Sequence, residues 1–205
     1  MKSGTGTLLV ISGPSGCGKS TICKRLLEDP RVEFSISATT RPMRAGEVDG
    51  KDYRFIGKET FRRLIEEGAF IEWAEVHGNL YGTLRAPMEE ALARGSVYLV
   101  EIDVQGGSTL KTLGLEVPSV FVFIAPPSME ELEARLRGRG TDAPEVIERR
   151  LEKAREELLA RDKYDAVVVN EDLERAVAEV RRLAGLDAEP GPSAEPREHG
   201  SGATP

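Results

Sequence analysis

At 205 residues, with 40% hydrophobic and 31% charged side chains, the chain has the make-up of one soluble globular core with room for small inserted lobes. A net charge of −7 weighs against general binding to nucleic acid or anionic membranes, and no apolar run approaches the roughly 20 residues of a membrane span. Two cysteines, Cys17 and Cys23, are too few and too close for a disulfide framework or a zinc site, so reduced thiols in an unexported, cytoplasmic protein are expected.

Leu8-Leu9-Val10-Ile11 is the first apolar run of strand length. It leads into Gly13-Pro14-Ser15-Gly16-Cys17-Gly18-Lys19-Ser20, which matches G-x-x-x-x-G-K-[ST], and then through Thr21 into a helical segment carrying Ile22, Cys23, Leu26 and Leu27. Strand, loop and helix in that order predict a triphosphate cradle. The glycines let backbone N–H groups curve around phosphate oxygens, and Lys19 supplies a point charge at the β- and γ-phosphates. The Ser20 hydroxyl suits magnesium, and the helix N-terminus adds a favourable dipole. The loop specifies nucleotide binding but not a reaction. Cys17 occupies a free motif position and reads as a small tolerated side chain rather than a redox group.

From about Phe34 to Gly82 the pattern changes. Short strand candidates (Phe34–Ala38, Tyr53–Ile56, Phe70–Val76) and turn formers (Gly46, Asp49-Gly50) surround one helix with Phe61, Leu64 and Ile65, ended by Gly68. This predicts an inserted lobe with its own small sheet. Pro87 is expected to open a helix with Met88, Ala91 and Leu92 that stops at Gly95. Val97–Val100, Val120–Ile124 and Ala166–Val169 are further strands. Continuous apolar runs rather than alternation predict a parallel sheet covered on both faces, an α/β three-layer core. Between the strands, Ser128 and Glu131 form a capping box, and a helix from near Pro144 places Ile147, Leu151, Ala154 and Leu158 on one face. Leu173, Ala176, Val177 and Val180 repeat that spacing. The arginine-rich stretch 135–155 is expected to act as a mobile cover, and 186–205, rich in Pro, Gly, Ala and Glu, as a disordered tail.

Phe34-Ser35-Ile36-Ser37-Ala38-Thr39-Thr40-Arg41-Pro42-Met43-Arg44-Ala45-Gly46-Glu47, followed by Gly50-Lys51-Asp52-Tyr53, resembles the signature of guanylate kinases. Gly68-Ala69-Phe70-Ile71-Glu72-Trp73, Tyr81-Gly82-Thr83, Ile102-Asp103-Val104-Gln105-Gly106, Ala125-Pro126-Pro127-Ser128 and Arg139-Gly140 continue it, so the resemblance runs from about Leu8 to Leu183. It implies one domain over 5–185, with a core at 5–33, 84–134 and 156–185, an acceptor lobe at 34–83 with a mixed or antiparallel sheet, and a helical lid at 135–155.

The chemistry of GMP explains the residue types. Guanine offers an N1–H and an N2 amino group side by side, which one buried carboxylate accepts together, whereas adenine has no such pair. By resemblance Glu72 is that carboxylate, with Ser37 and Thr83 at other polar atoms of the base. Arg41 and Arg44, with Tyr53 and Tyr81, would clamp the acceptor phosphate. Glu101 stands where the family often carries Asp, implying a guanine contact with a longer reach; Asp103 would orient magnesium-bound water.

The acceptor phosphate has a second pKa near ~6 and is largely dianionic at neutral pH, so transfer needs positioning and charge stabilisation more than a strong base. Lys19, Arg44, Arg135, Arg139 and Arg150 would supply that stabilisation, and Asn170 and Asp172 resemble residues flanking the adenine. Arg137, Arg149 and Arg155 read as helix-surface charges, and His77 as structural. The implied substrates are ATP and GMP or dGMP, with Mg2+, in a monomer or homodimer of purine nucleotide metabolism without nucleic-acid or membrane partners. Two rivals are a catalytically silent binding module and a kinase for another phosphorylated acceptor such as a ribose phosphate. The intact Lys19 and Ser20 argue against the first, and Glu72 with Tyr81-Gly82-Thr83 against the second.

Overall fold

A computed structural model describes residues 6–76, 78–138, 140 and 142–187. Strand β1 (Thr7–Ser12) lies at the centre of a five-stranded sheet, which is why its side chains are apolar on both faces. Leu9 and Ile11 pack to one side and Leu8 and Val10 to the other, following the two-residue alternation of a strand. Helices cover both sides. On the first lie α1 (Lys19–Leu26) and α7 (Leu173–Leu183); on the second lie α3 (Arg85–Ala93) and α4 (Val104–Thr112). The strand order is β2 (Val32–Phe34), β7 (Val97–Glu101), β1, β8 (Ser119–Ala125) and β9 (Ala166–Val169), every pairing parallel. The expected three-layer α/β core is therefore observed. Its strands end together on the side where β1 runs into the glycine-rich loop, the usual location of a ligand crevice in such sheets.

The second sheet is mixed. Its order is β4 (Arg54–Phe55), β3 (Ala38–Thr39), β6 (Asn79–Leu84) and β5 (Phe70–Val76), with β3 parallel to β4 and antiparallel to β6. Helix α2 (Lys58–Glu66) closes one face by stacking Phe61 on Phe70, ring centroids 4.4 Å apart, beside Ala38 and Leu80. Phe61 is fully buried in a cluster of few residues, so the lobe has little to compensate its loss. Phe61→Ala is expected to lower stability by roughly 3–5 kcal/mol, read as a lower urea midpoint.

Three local expectations change. Phe34–Ala38 is not one strand: Phe34 pairs with Leu99 in the core sheet, whereas Ala38 pairs with Gly82 in the second. The chain thus crosses between sheets at residues 35–37. Helix α3 starts at Arg85, two residues before Pro87; proline is tolerated there because first-turn N–H groups have no helical partner. Helix α4 was not expected from its sequence, and Asp103 caps it by accepting from the Gly106 N–H at 2.8 Å.

Helices α5 (Met129–Gly138) and α6 (Pro144–Leu158) pack together through Leu132 and Leu136 against Ile147, Leu151 and Ala154. The Ser128 hydroxyl accepts from the Glu131 N–H at 3.2 Å at the start of α5. Leu186, read as the start of the tail, is buried in the core, and its N–H donates to the Arg181 carbonyl. The rest of that stretch, 188–205, lies outside the described residues.

Candidate active site

Two adjoining cavities open where the strands end. The larger, about 550 Å³, runs along the glycine-rich loop and the start of α1 and is bordered by Ser37, Tyr53, Glu101, Asp103 and Arg150. The smaller, about 230 Å³, lies inside the inserted lobe against Glu72, Tyr81 and Gly82. Ser37, Tyr53, Glu101, Ile102 and Asp103 border both cavities and form the wall between them.

The loop is pre-shaped. Lys19 folds its ammonium back onto the Gly13 and Pro14 carbonyls at 2.7 and 2.9 Å, holding a positive charge over the loop mouth. Gly18 adopts φ +99°, a left-handed conformation that glycine enters without a Cβ penalty. Ser15, Gly16, Gly18, Ser20 and Thr21 line the larger cavity, while Pro14 and Cys17 are buried. Burial pushes the thiols of both Cys17 and Cys23 upward, away from the reactive thiolate, which agrees with a packing role.

The Ser20 hydroxyl donates to Glu101 Oε1 at 2.7 Å. This places Glu101 beside the hydroxyl assigned to magnesium, although the resemblance set it against guanine. Asp103, two residues on, borders the smaller cavity close enough to Glu72 for its charge to raise the Glu72 carboxyl. Hard oxygen donors at the loop are the kind magnesium takes, with remaining positions filled by phosphate oxygens and water. Among the described residues no three His, Cys, Asp or Glu side chains form a metal cage. Ser20 with Glu101 and Asp103 nearby instead fits a cation that arrives with a triphosphate.

In the smaller cavity Glu72 is 9% exposed and accepts from Thr83 Oγ1 at 2.7 Å across the β5–β6 pair. Burial raises its carboxyl above the usual range, and the bonds from Thr83 only partly oppose this. One oxygen is thus anchored while the group borders a cavity whose other walls include Ala74, Val76 and Ile102 as well as Ser37 and Tyr81. At the edge of the larger cavity Glu47 grips the Arg41 guanidinium with both oxygens at 2.7 and 3.0 Å and accepts from the Arg44 N–H at 2.7 Å. Arg41 also lies over the Tyr53 ring at 5.5 Å, and Tyr53 meets Tyr81 edge-on at 6.0 Å. Tyr53 borders both cavities and Tyr81 the smaller one, Arg41 joins them through the Tyr53 ring, and the Arg44 side chain is exposed.

The remaining candidates divide. Arg150 borders the larger cavity and pairs with Asp142 at 2.9 Å. Arg135 is held by Glu131 at 3.0 Å and donates to the Asn170 carbonyl at 3.0 Å. Asn170 is buried behind the loop and donates to the Cys17 carbonyl, and Asp172 caps α7 by accepting from the Arg175 N–H. Arg137 pairs with Glu133 and Arg149 donates to the Glu145 carbonyl, as helix-surface charges do. Arg139 and His77 lie outside the described residues.

Glu47, Lys153 and Glu157 escaped the sequence reading. Lys153 and Glu157 border the larger cavity with Arg150, and the steps of three and four residues from 150 to 153 to 157 put all three on one helical face. That spacing was the available signal.

A phosphate loop on the central strand of a parallel sheet, joined to a second cavity with a buried carboxylate, defines a P-loop phosphate-binding protein with two substrate chambers. The family model described as guanylate kinase matches residues 5–185, and the chain belongs to the guanylate kinase family. It is 52% identical over 184 residues to the guanylate kinase of Mycolicibacterium paratuberculosis, covering 88% of this chain and 82% of that one. It is also 52% identical over 180 residues to that of Syntrophotalea carbinolica, covering 87% and 84%. The crystal structure of guanylate kinase from Anaplasma phagocytophilum superimposes with a TM-score of 0.70 at 38% identity, covering 90% of this chain and 87% of the other.

Proposed function

We propose that this chain transfers the γ-phosphoryl group of ATP to GMP, and to dGMP, giving ADP and the nucleoside diphosphate, in cytoplasmic purine nucleotide metabolism. The observation that carries the reading is Glu72: a buried carboxylate with one oxygen fixed by Thr83, in a chamber that shares its wall with the phosphate loop. Such a group complements the paired donors of guanine, a pair that adenine lacks.

The larger chamber takes ATP, its phosphates on the loop N–H groups and Lys19. Ser20 would hold magnesium, which when bound neutralises charge on the β- and γ-phosphates. Glu101 steadies that hydroxyl, a magnesium-side task beyond the guanine contact the resemblance gave it, and Asp103 stands on the wall that both chambers share, with its charge reaching Glu72. Arg41, Arg44, Tyr53 and Tyr81 fix the acceptor phosphate so that one of its oxygens faces the γ-phosphorus. Arg150 and Arg135 approach from the lid, with Arg139 assigned beside them by the resemblance alone, and closure of the lobes excludes water that would otherwise take the phosphoryl group.

Arg44 has an exposed side chain and only its backbone is engaged by Glu47, so its guanidinium is available to an incoming phosphate. Arg44→Met is expected to lower kcat roughly 100-fold in a coupled assay of ADP release. A near-normal rate would remove Arg44 from the transfer step.

A further inference from the structure

Asn170 follows the last strand of the core, and its N–H donates to the Ala125 carbonyl at 2.8 Å, one step beyond the final β8–β9 pair of Ala125 and Val169. It is 7% exposed, deeper than a surface contact to a base would need. Its side-chain amide donates to the Cys17 carbonyl at 2.8 Å, inside the phosphate loop, and the Asn170 backbone carbonyl receives Arg135 Nη2 at 3.0 Å. The fit is close: a Cβ on Gly18 would stand 2.2 Å from Asn170 Nδ2.

In a trans peptide the C=O of one residue and the N–H of the next point in opposite directions. Holding the Cys17 carbonyl behind the loop therefore turns the Gly18 N–H forward, toward the cavity where the donor phosphates bind. We propose that Asn170 is a positioning residue whose side chain locks the Cys17–Gly18 peptide in its phosphate-binding orientation, while its backbone carbonyl receives the lid arginine Arg135. This deepens the ATP-site reading and rests on it. It also gives Asn170 a different task from flanking the adenine: it serves the phosphates, whatever base they carry.

Asn170→Asp is the informative change, because it keeps the shape but replaces a donor with an acceptor facing the Cys17 carbonyl. Asn170→Ala removes the donor without that repulsion. Binding of ADP, inorganic tripolyphosphate and GMP, with magnesium present, would be measured by calorimetry, with melting temperature as the check on folding. The expected result is a loss of about tenfold for the Ala variant and more for Asp, equal for ADP and tripolyphosphate, with GMP affinity within about twofold of the parent. Loss for ADP with parent-like tripolyphosphate binding would assign Asn170 to the base and overturn the proposal. Parent-like binding of both ligands by a folded Ala variant would overturn it too, as would equal losses for GMP, which mark a general packing defect. If the parent itself bound neither ADP nor tripolyphosphate, the ATP-site reading would fall first and this proposal with it.

Discussion

Glu72→Gln is expected to lower kcat/KM for GMP roughly 100- to 10,000-fold while leaving the affinity for ATP unchanged. The glutamine keeps one acceptor oxygen, which Thr83 already occupies, and presents an NH2 group where the carboxylate had a second acceptor. Two donors of guanine then face a donor, and the site is left with unmatched polar groups away from water. Stability should move the other way. Because burial raises the Glu72 carboxyl, the folded state binds that proton more tightly than the unfolded chain does. The Glu72 contribution to stability is thus full below the unfolded pKa and falls as pH rises through the folded one. A neutral side chain carries no such cost, so the variant melts no lower than the parent near neutral pH. Equal losses for GMP and ATP, or a drop in melting temperature that tracks the loss of activity, would sink the assignment of Glu72 to guanine.

Lys19→Met is expected to lower kcat on the order of 1,000-fold with GMP affinity little changed. Methionine retains most of the length of the stem but has no charge to follow the phosphoryl group. The ammonium is held over the loop by the Gly13 and Pro14 carbonyls, so its position is set before a nucleotide arrives. Steady-state ADP release measures the effect, with GMP calorimetry as the control. A loss of less than about tenfold would mean that the loop's N–H groups suffice without the lysine.

Much of this was legible in the sequence because its signals are local. The phosphate loop declares itself through eight consecutive residues, and Val97–Val100 and Val120–Ile124 read as buried strands because they lie inside a sheet with helices on both sides. Ala166–Val169, equally apolar, is instead an edge strand and leaves Val167 and Val169 exposed. What was missed depended on distant partners. Nothing within Phe34–Ala38 announces that its ends belong to two sheets; that is fixed by Leu99 and Gly82. Helix α4 was hidden because Gly106-Gly107-Ser108-Thr109 is poor in intrinsic helix formers. Its composition answers to packing, since a Cβ on Gly107 would lie 2.4 Å from Ser12 Oγ and 2.5 Å from the Tyr164 hydroxyl. The same holds in the site. The residue types at 101 and 103 were evident, but which carboxylate faces Ser20 and which approaches Glu72 follows from how the end of β7 meets the two cavities. Glu47 stood inside the signature unread, because its grip on Arg41 closes through a loop whose shape the spacing does not state. Asn170 was noticed for its place after the last strand, not for the loop carbonyl it holds 153 residues away.

Phosphoryl transfer to GMP requires a donor chamber beside a guanine chamber. Magnesium- and ATP-dependent ADP formation, with GMP, dGMP, AMP and UMP supplied in parallel, tests it in one measurement. The predicted result is strong turnover with GMP, weaker turnover with dGMP, and negligible turnover with AMP or UMP. Tight GMP binding without ADP formation would contradict the transfer reaction and restore a binding module, and turnover with none of the four would contradict the place given to Glu72.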